Sequence, residues 1–283
     1  MILRAPIVFL FAVLIVVQMV VLAQPVQAAP KANLWPEWQA HDPHSITEID
    51  HAAWQAVLDR FLIVNEPGAS RFDYAAARQN GGDVMVADYV DAMTKVAVGQ
   101  LGRDQQFAYW VNLYNALTVK VVLDHDPVKS IRDIDISPGF FSSGPWGKKL
   151  ITVEGRSLSL DDIEHRILRP IWRDARIHYA VNCASVGCPA LAGDAFDADK
   201  LDTQLDQAAR DFINHSRAVR VQDDGRFVLS SLYDWYRDDF GKSDSDFIAH
   251  LKSFAGQELM AILGDINDLD IAGYEYDWAL NTQ

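Results

Sequence analysis

The stretch "DQQFAYWVNLYNALTVKVVLDHDP", Asp104 to Pro127, limits the chain's possible folds more than any other. It is long and strongly apolar, and it reads as one helix ended before Pro127, whose ring cannot continue a helical turn. Asn112 and Asn115 lie in its middle at i, i+3 spacing and so face one way. Buried amides are costly unless hydrogen-bonded. They therefore either satisfy backbone groups of the connection that follows, or form an amide pair that orients a catalytic histidine or polarises a carbonyl.

Other helices precede and follow it. "TEIDHAAWQAVLDRFLIV" puts Ile49, Val57, Leu58, Phe61 and Leu62 on one stripe, with Thr47 as the expected cap. "VMVADYVDAMTKVAVG" reads as a helix closed by Gly99. After Ser130 the pattern changes to a long Gly-, Ser- and Pro-punctuated loop carrying Phe140, Phe141 and Trp146. A hairpin is expected next, "KLITV" and "RSLSL" around Glu154-Gly155. "DDIEHRILRPIW" reads as a helix and "RIHYAVNC" as a strand. "DKLDTQLDQAARDFINHS" is amphipathic on Leu201, Leu205, Ala209 and Phe212, and "AVRVQDDGRFVLS" is a hairpin with an Asp-Gly turn. Two further helical segments and the extended "GYEYDWALN" end the chain. Helices come first, then short strands mixed with helices, without the regular alternation of a doubly wound sheet. The expectation is α+β: a single compact domain whose helical N-terminal half packs on a small, mainly antiparallel sheet.

The N-terminus stands apart. Arg4 precedes an apolar run from about Ala5 to Ala23, Pro25 breaks it, and Val26-Gln27-Ala28 fits a small-x-small cleavage signal. This is the grammar of a secretory signal peptide over residues 1–28, with residues 29–283 as the exported domain, periplasmic or secreted. The alternative is an uncleaved anchor helix. Net charge is −14, with the acidic residues spread along the chain, which excludes a phosphate-neutralising nucleic-acid surface.

Both cysteines of the chain fall in "HYAVNCASVGCPAL", His178 to Leu191. Four readings are open. Cys183 and Cys188 could close a small disulfide ring, worth about 2 kcal/mol on chain entropy. One thiol could be an activated nucleophile. His178 with both thiols could hold zinc, although a fourth ligand is lacking. The thiols could simply be buried. If "RIHYAVNC" is a regular strand, His178, Ala180 and Asn182 share one face while Cys183 lies on the other, so a His178–Cys183 dyad needs a bend at Asn182-Cys183. Glu164 is near enough in sequence to orient the histidine, or it makes an ordinary salt bridge. His165 beside Arg169 reads as solvated surface. "YDWYRDDF", Tyr233 to Phe240, reads as a helix packing rings into the core, and Trp278 as a core plug.

Taken in order, "FAYWVNLYNALTVK", "SLDDIEHRILR", "IHYAVNCASVGCPAL", "LYDWYRDDF" and "YDWALN" resemble the domain of unknown function 547 family, over roughly Gln105 to Asn281. The matching positions are Asn112, Tyr114, Asn115, Glu164, His178, Cys183, Cys188, Pro189, Trp235, Tyr236, Asp239, Phe240, Trp278 and Asn281. The resemblance implies no agreed activity. The order of helices and antiparallel strands is similar to papain-like or transglutaminase-like thiol enzymes, at the level of fold alone.

The functional expectation is a cysteine-dependent hydrolase or acyltransferase acting on an amide or thioester of the cell envelope. Cys183 is the expected nucleophile and His178 the base, with Asn112, Asn115 or Glu164 in support. No cofactor or metal is expected. The alternative is a non-enzymatic envelope binding module with a structural Cys183–Cys188 disulfide, presenting Phe140, Phe141 and Trp146 to a partner.

Overall fold

A computed structural model of the chain describes residues 30–139, 143–264 and 266–283. Helix α1 spans Ala52–Phe61 and buries Trp54, Val57, Leu58 and Phe61. It begins after His51 and not at Thr47, because the Asp50 carboxylate takes the Ala52 N–H at 2.7 Å and fixes the first turn there. The expected helix also ends earlier. Its β-branched tail leaves as strand β1, Leu62–Glu66, which turns back antiparallel into β2, Ala69–Phe72. Helices α2, Tyr74–Gln79, and α3, Gly82–Thr94, follow. The α3 helix stops at Thr94, short of Gly99, as the chain turns through Lys95 and Val96.

The long apolar stretch is α4, Arg103–His125. Its apolar character all round is explained by its position: nearly every residue from Gln106 to Leu123 is buried, with α3 packed along it. The expected hairpin forms as β3, Ile151–Val153, and β4, Arg156–Leu158. Glu154 and Gly155 both take positive φ in its tight turn. The chain then enters α5, Leu160–Asp162, capped by a reciprocal Ser159–Asp162 box. It widens into a π-helical turn over Ile163–Leu168 and recovers as α6, Arg169–Trp172.

"RIHYAVNC" is not a strand. Ile177–Ala180 forms a helical turn, α7, and only at Val181 does the backbone become extended. Backbone N–H groups of His178, Tyr179 and Val181 bond to carbonyls three or four residues back, so alternation of faces does not apply here. Helix α8, Leu201–Ile213, buries Leu201, Leu205, Ala209 and Phe212, the stripe read from its spacing.

The second hairpin forms as β5, Val219–Val221, and β6, Phe227–Ser230, with Gly225 left-handed in the turn. Short helices α9, Ser231–Trp235, and α10, Arg237–Phe240, follow, then α11, Asp244–Phe254, and α12, Gln257–Leu263. The last strand, β7, Ile271–Glu275, lies parallel to β6, so the three-stranded sheet is mixed. The architecture is α+β. One core surrounds α4; a second lies between α8, α11 and the sheet, and α7 joins them, with Ile177 in the first and Tyr179 in the second.

Candidate active site

Both asparagines of α4 act as substitutes for backbone. Asn115, 2% exposed, donates from Nδ2 to the Ala180 carbonyl at 2.9 Å and accepts the Asn182 N–H on Oδ1 at 2.8 Å. Asn112 does the same to one residue, Phe196, through its carbonyl at 2.8 Å and its N–H at 2.9 Å. Neither amide touches a histidine; each pins an irregular connection to the central helix, at Ala180 and Asn182 and at Phe196, and not in the loop that directly follows the helix.

Asn115 thereby sets the segment that leads to the first thiol. Asn182 continues the scaffold: its Oδ1 accepts the Ala184 N–H at 2.9 Å, and its Nδ2 donates to the Pro189 carbonyl at 2.7 Å. The C-terminal segment closes the other side. Val186 and Gly187 donate to the carbonyls of Ala279 and Asp277 at 2.8 Å, and Asn281 donates to the Ala184 carbonyl at 3.0 Å. Gly187 is required by this approach, since a Cβ there would lie 2.8 Å from the Asp277 nitrogen. Ala184 takes φ +59, a left-handed conformation that is uncommon for a residue with a side chain and is held here by bonds on both sides.

Cys183 is therefore presented on a sharp, over-determined turn. The residue is partly exposed, and its sulfur lies 3.0 Å from both the Ser185 and Tyr276 hydroxyls. Its N–H donates to the Cys188 sulfur at 2.9 Å. Both thiols are free. Burial pushes the Cys183 thiol up, but hydrogen bonds from Cys188, Ser185 and Tyr276 outweigh it and leave the thiol below its ordinary range. Cys188 is pushed well up by burial and by its neighbour. Tyr276, also raised by burial, stays a neutral donor. Its ring packs on Trp235 at 4.7 Å and on Trp278 at 4.6 Å, and Trp146 reaches Trp278 at 5.8 Å. Trp278 is thus one member of a half-buried aromatic wall next to the thiol and not a core plug. Phe140 and Phe141 lie outside the described residues.

A buried ionic cluster forms the other half of the site. His178, fully enclosed, bonds through Nε2 to Asp239 Oδ2 at 2.7 Å and has Nδ1 3.7 Å from Glu164 Oε1. Arg169 Nε holds the same Asp239 oxygen at 2.6 Å, and Arg169 Nη1 lies 3.0 Å from His165 Nδ1. Tyr236 stacks on the His178 ring at 4.1 Å with the Arg169 guanidinium 4.7 Å above its own ring. Tyr114 of α4 donates to Glu164 at 3.2 Å. The π-helical turn carries both Glu164 and His165 to the interior, so His165 is 3% exposed and not the surface residue its helical spacing suggested.

Both carboxylates of this cluster are held below their ordinary range. Burial raises Glu164, but His165, His178, Arg169 and the Tyr114 hydroxyl more than compensate and leave it below its ordinary value. Burial likewise opposes ionisation of Asp239, and its bonds from His178 and Arg169 hold it well below the carboxylate range. His165 is pushed down to about 4, chiefly by burial.

Of the residues singled out in the sequence, Glu164 and His178 are brought together, and Asn115 is brought to the backbone beside Cys183. Among the contacts of the described residues, none joins His178 to Cys183. The imidazole is held by Asp239, Glu164, Tyr236 and Phe240, and the sulfur by Ser185, Tyr276 and Cys188. Tyr236 lies within electrostatic range of both Glu164 and Cys183. No cluster of three metal-ligating side chains exists among the described residues. Spacing alone did not single out Ser185, Arg169 or Tyr276; Asp239 was marked only by its family motif.

The stretch 98–213 matches the model of a protein family described as "Protein of unknown function, DUF547". It contains α4, the π-helical turn, both thiols and α8, but ends before Asp239 and Tyr276. The earlier resemblance extended to Asn281. No curated protein and no solved structure matches the chain.

Proposed function

We propose that the protein is a thiol-dependent acyltransferase or hydrolase in which Cys183 is the nucleophile. The observation that carries this reading is Cys183 itself: a partly exposed residue whose sulfur is shifted toward thiolate and held by two hydroxyl groups on a left-handed turn. The thiolate attacks an acyl carbonyl, the carbon–sulfur bond to the enzyme forms as the bond to the leaving group breaks, and water or an amine later takes the acyl group. Ser185 and Tyr276 release the sulfur as it becomes a thioester and are the donors at hand for the developing oxyanion.

With no imidazole touching the sulfur, the geometry favours a thioester over an amide. A thiolate departs without a proton, whereas an amine needs one. His178, held by Asp239 and close to Glu164, serves in this reading as a buried positioning group on which Tyr236 stacks. The leader-like residues 1–28 support placing the substrate in the cell envelope. Among the described residues no helix is long and apolar enough to cross a membrane.

The test is acyl transfer from a simple thioester probe, read by mass on the tryptic peptide that carries Cys183. The expected result is an acyl adduct at Cys183, absent from Cys183→Ala, with the matching amide giving none. Equal thioester cleavage by Cys183→Ala would contradict the proposal. Failure of both thiols to react until a reductant is added would favour the binding module with a Cys183–Cys188 disulfide.

A further inference from the structure

Cys188 has no part in the acyl chemistry, yet the fold sets it against the nucleophile. Its N–H donates to the Ser185 carbonyl at 3.1 Å and folds residues 185–188 back as a turn. The Asn182 amide holds the following residue through the Pro189 carbonyl at 2.7 Å. The Cys188 sulfur thereby comes to 2.9 Å from the Cys183 nitrogen. A single torsion, χ1, sets how far the Cys183 sulfur lies from that same nitrogen, so a rotamer change of Cys183 moves its sulfur toward that of Cys188.

The two thiols differ in what can reach them. Cys183 is partly exposed and Cys188 is buried, at 5% exposure, so an oxidant from solution meets Cys183 first. Cys183 also has the thiolate character on which reaction with peroxides depends. Cys188 is closed to dissolved reagents, and Cys183 is the only other cysteine of the chain. The Cys183 N–H at its sulfur favours the negative charge that Cys188 carries when it attacks. The turn stands without a disulfide: both thiols are free, and Val186 and Gly187 are tied to the carbonyls of Ala279 and Asp277 at 2.8 Å.

We propose that Cys183 is a site of reversible oxidation by hydroperoxides, with Cys188 as its resolving thiol. This rests on the activated thiol of the reading above and adds its regulation. The Cys183 thiolate attacks a peroxide oxygen, the S–O bond forms as the O–O bond breaks, and with hydrogen peroxide the departing hydroxide takes a proton and becomes water. Cys183 is then a sulfenic acid. The Cys188 sulfur attacks it, the S–S bond forms as the S–O bond breaks, and the hydroxide leaves as water with the Cys188 proton. The disulfide has no nucleophilic sulfur, so acyl transfer stops until a dithiol reductant restores both thiols. Without Cys188 the sulfenic acid goes on to sulfinic and sulfonic acids, which thiols do not reverse.

The test treats the reduced, desalted full chain with hydrogen peroxide and reads tryptic peptide 177–200, which carries both cysteines. The expected product is this peptide lighter by two hydrogens. Iodoacetamide labelling of Cys183 is lost, and dithiothreitol restores it in full on the folded protein. In Cys188→Ser and Cys188→Ala, dimedone traps a sulfenic acid at Cys183. After prolonged peroxide, dithiothreitol then restores only a minor part of the labelling that each variant had beforehand. A serine hydroxyl at this position still accepts the Cys183 N–H, which retains the turn. Full restoration in both variants overturns the resolving role and leaves the acyl reading intact, as does oxidised Cys183 in the native chain beside Cys188 left as a thiol. A disulfide that dithiothreitol reduces only after unfolding overturns it too, because that bond is structural. If the disulfide forms and reverses while the thioester probe leaves no adduct at Cys183, the acyl reading fails and the oxidation site stands.

Discussion

Replacing Asn115 by alanine tests whether α4 holds the thiol turn. The amide makes two bonds, to the Ala180 carbonyl at 2.9 Å and from the Asn182 N–H at 2.8 Å. Both residues are buried, at 2% and 3% exposure, so water does not replace the lost partner. Each orphaned backbone group costs about 1–3 kcal/mol. Alanine is the better helix former by roughly half a kcal/mol, which offsets a small part. The expected net loss is about 1.5–5.5 kcal/mol, measured as a lower urea midpoint at unchanged slope, or a fall in Tm of roughly 3–22 °C. Asn112→Ala, which frees Phe196, serves as the comparison: a loss of similar size is expected, with Cys183 alkylation unchanged. In Asn115→Ala the pH midpoint of Cys183 alkylation rises as well, because Cys183, Ser185 and Tyr276 lose their common registration. A loss under about 1 kcal/mol, or an identical thiol response in the two variants, would refute the clamp.

Further outcomes follow from the same geometry. Tyr276→Phe removes one of the hydroxyls 3.0 Å from the sulfur, so the thiol shifts back toward its ordinary value and alkylation near neutral pH slows; an unchanged pH profile contradicts this. Gly187→Ala forces a Cβ to within 2.8 Å of the Asp277 nitrogen, destabilising by about 1–3 kcal/mol and detaching the C-terminal segment, visible as faster amide exchange at Val186 and Gly187. His51, His165 and His250 are each pushed down to about 4, chiefly by burial, from an ordinary 6.5. As pH falls through that window the unfolded chain takes up protons that the folded chain refuses. Stability therefore decreases from about pH 6.5 toward 4, by at most about 1.4 kcal/mol per pH unit for each group. Urea midpoints that stay level over the window would contradict it.

The parts of the fold legible in the sequence were those set by local pattern. Residues 103–125 are apolar on every face and form the central helix; the α8 stripe and the Glu154-Gly155 and Gly225 turns announce themselves by spacing and turn chemistry. The misread elements were those decided by tertiary contacts. "RIHYAVNC" is rich in β-branched and aromatic residues, yet Asn115 takes the Ala180 carbonyl and the Asn182 N–H, leaving Ile177–Ala180 as a helical turn. The β1–β2 hairpin was hidden behind a helical stripe that continued into Leu62. The candidate site divides in the same way. The thiol stretch and Glu164 could be named from sequence. That the histidine partners Asp239 and the sulfur partners Tyr276 could not, because those contacts span 61 and 93 positions of chain.

The central claim is that Cys183 is a free, activated thiol beside an inactive, buried Cys188. It is tested most directly by alkylating the protein with iodoacetamide across pH without added reductant and assigning the label by peptide mass. The account predicts label at Cys183 alone, with a midpoint below that of an ordinary thiol, and Cys188 protected until the protein unfolds. Label that appears only after reduction, or that divides equally between the two cysteines with an ordinary midpoint, would contradict it.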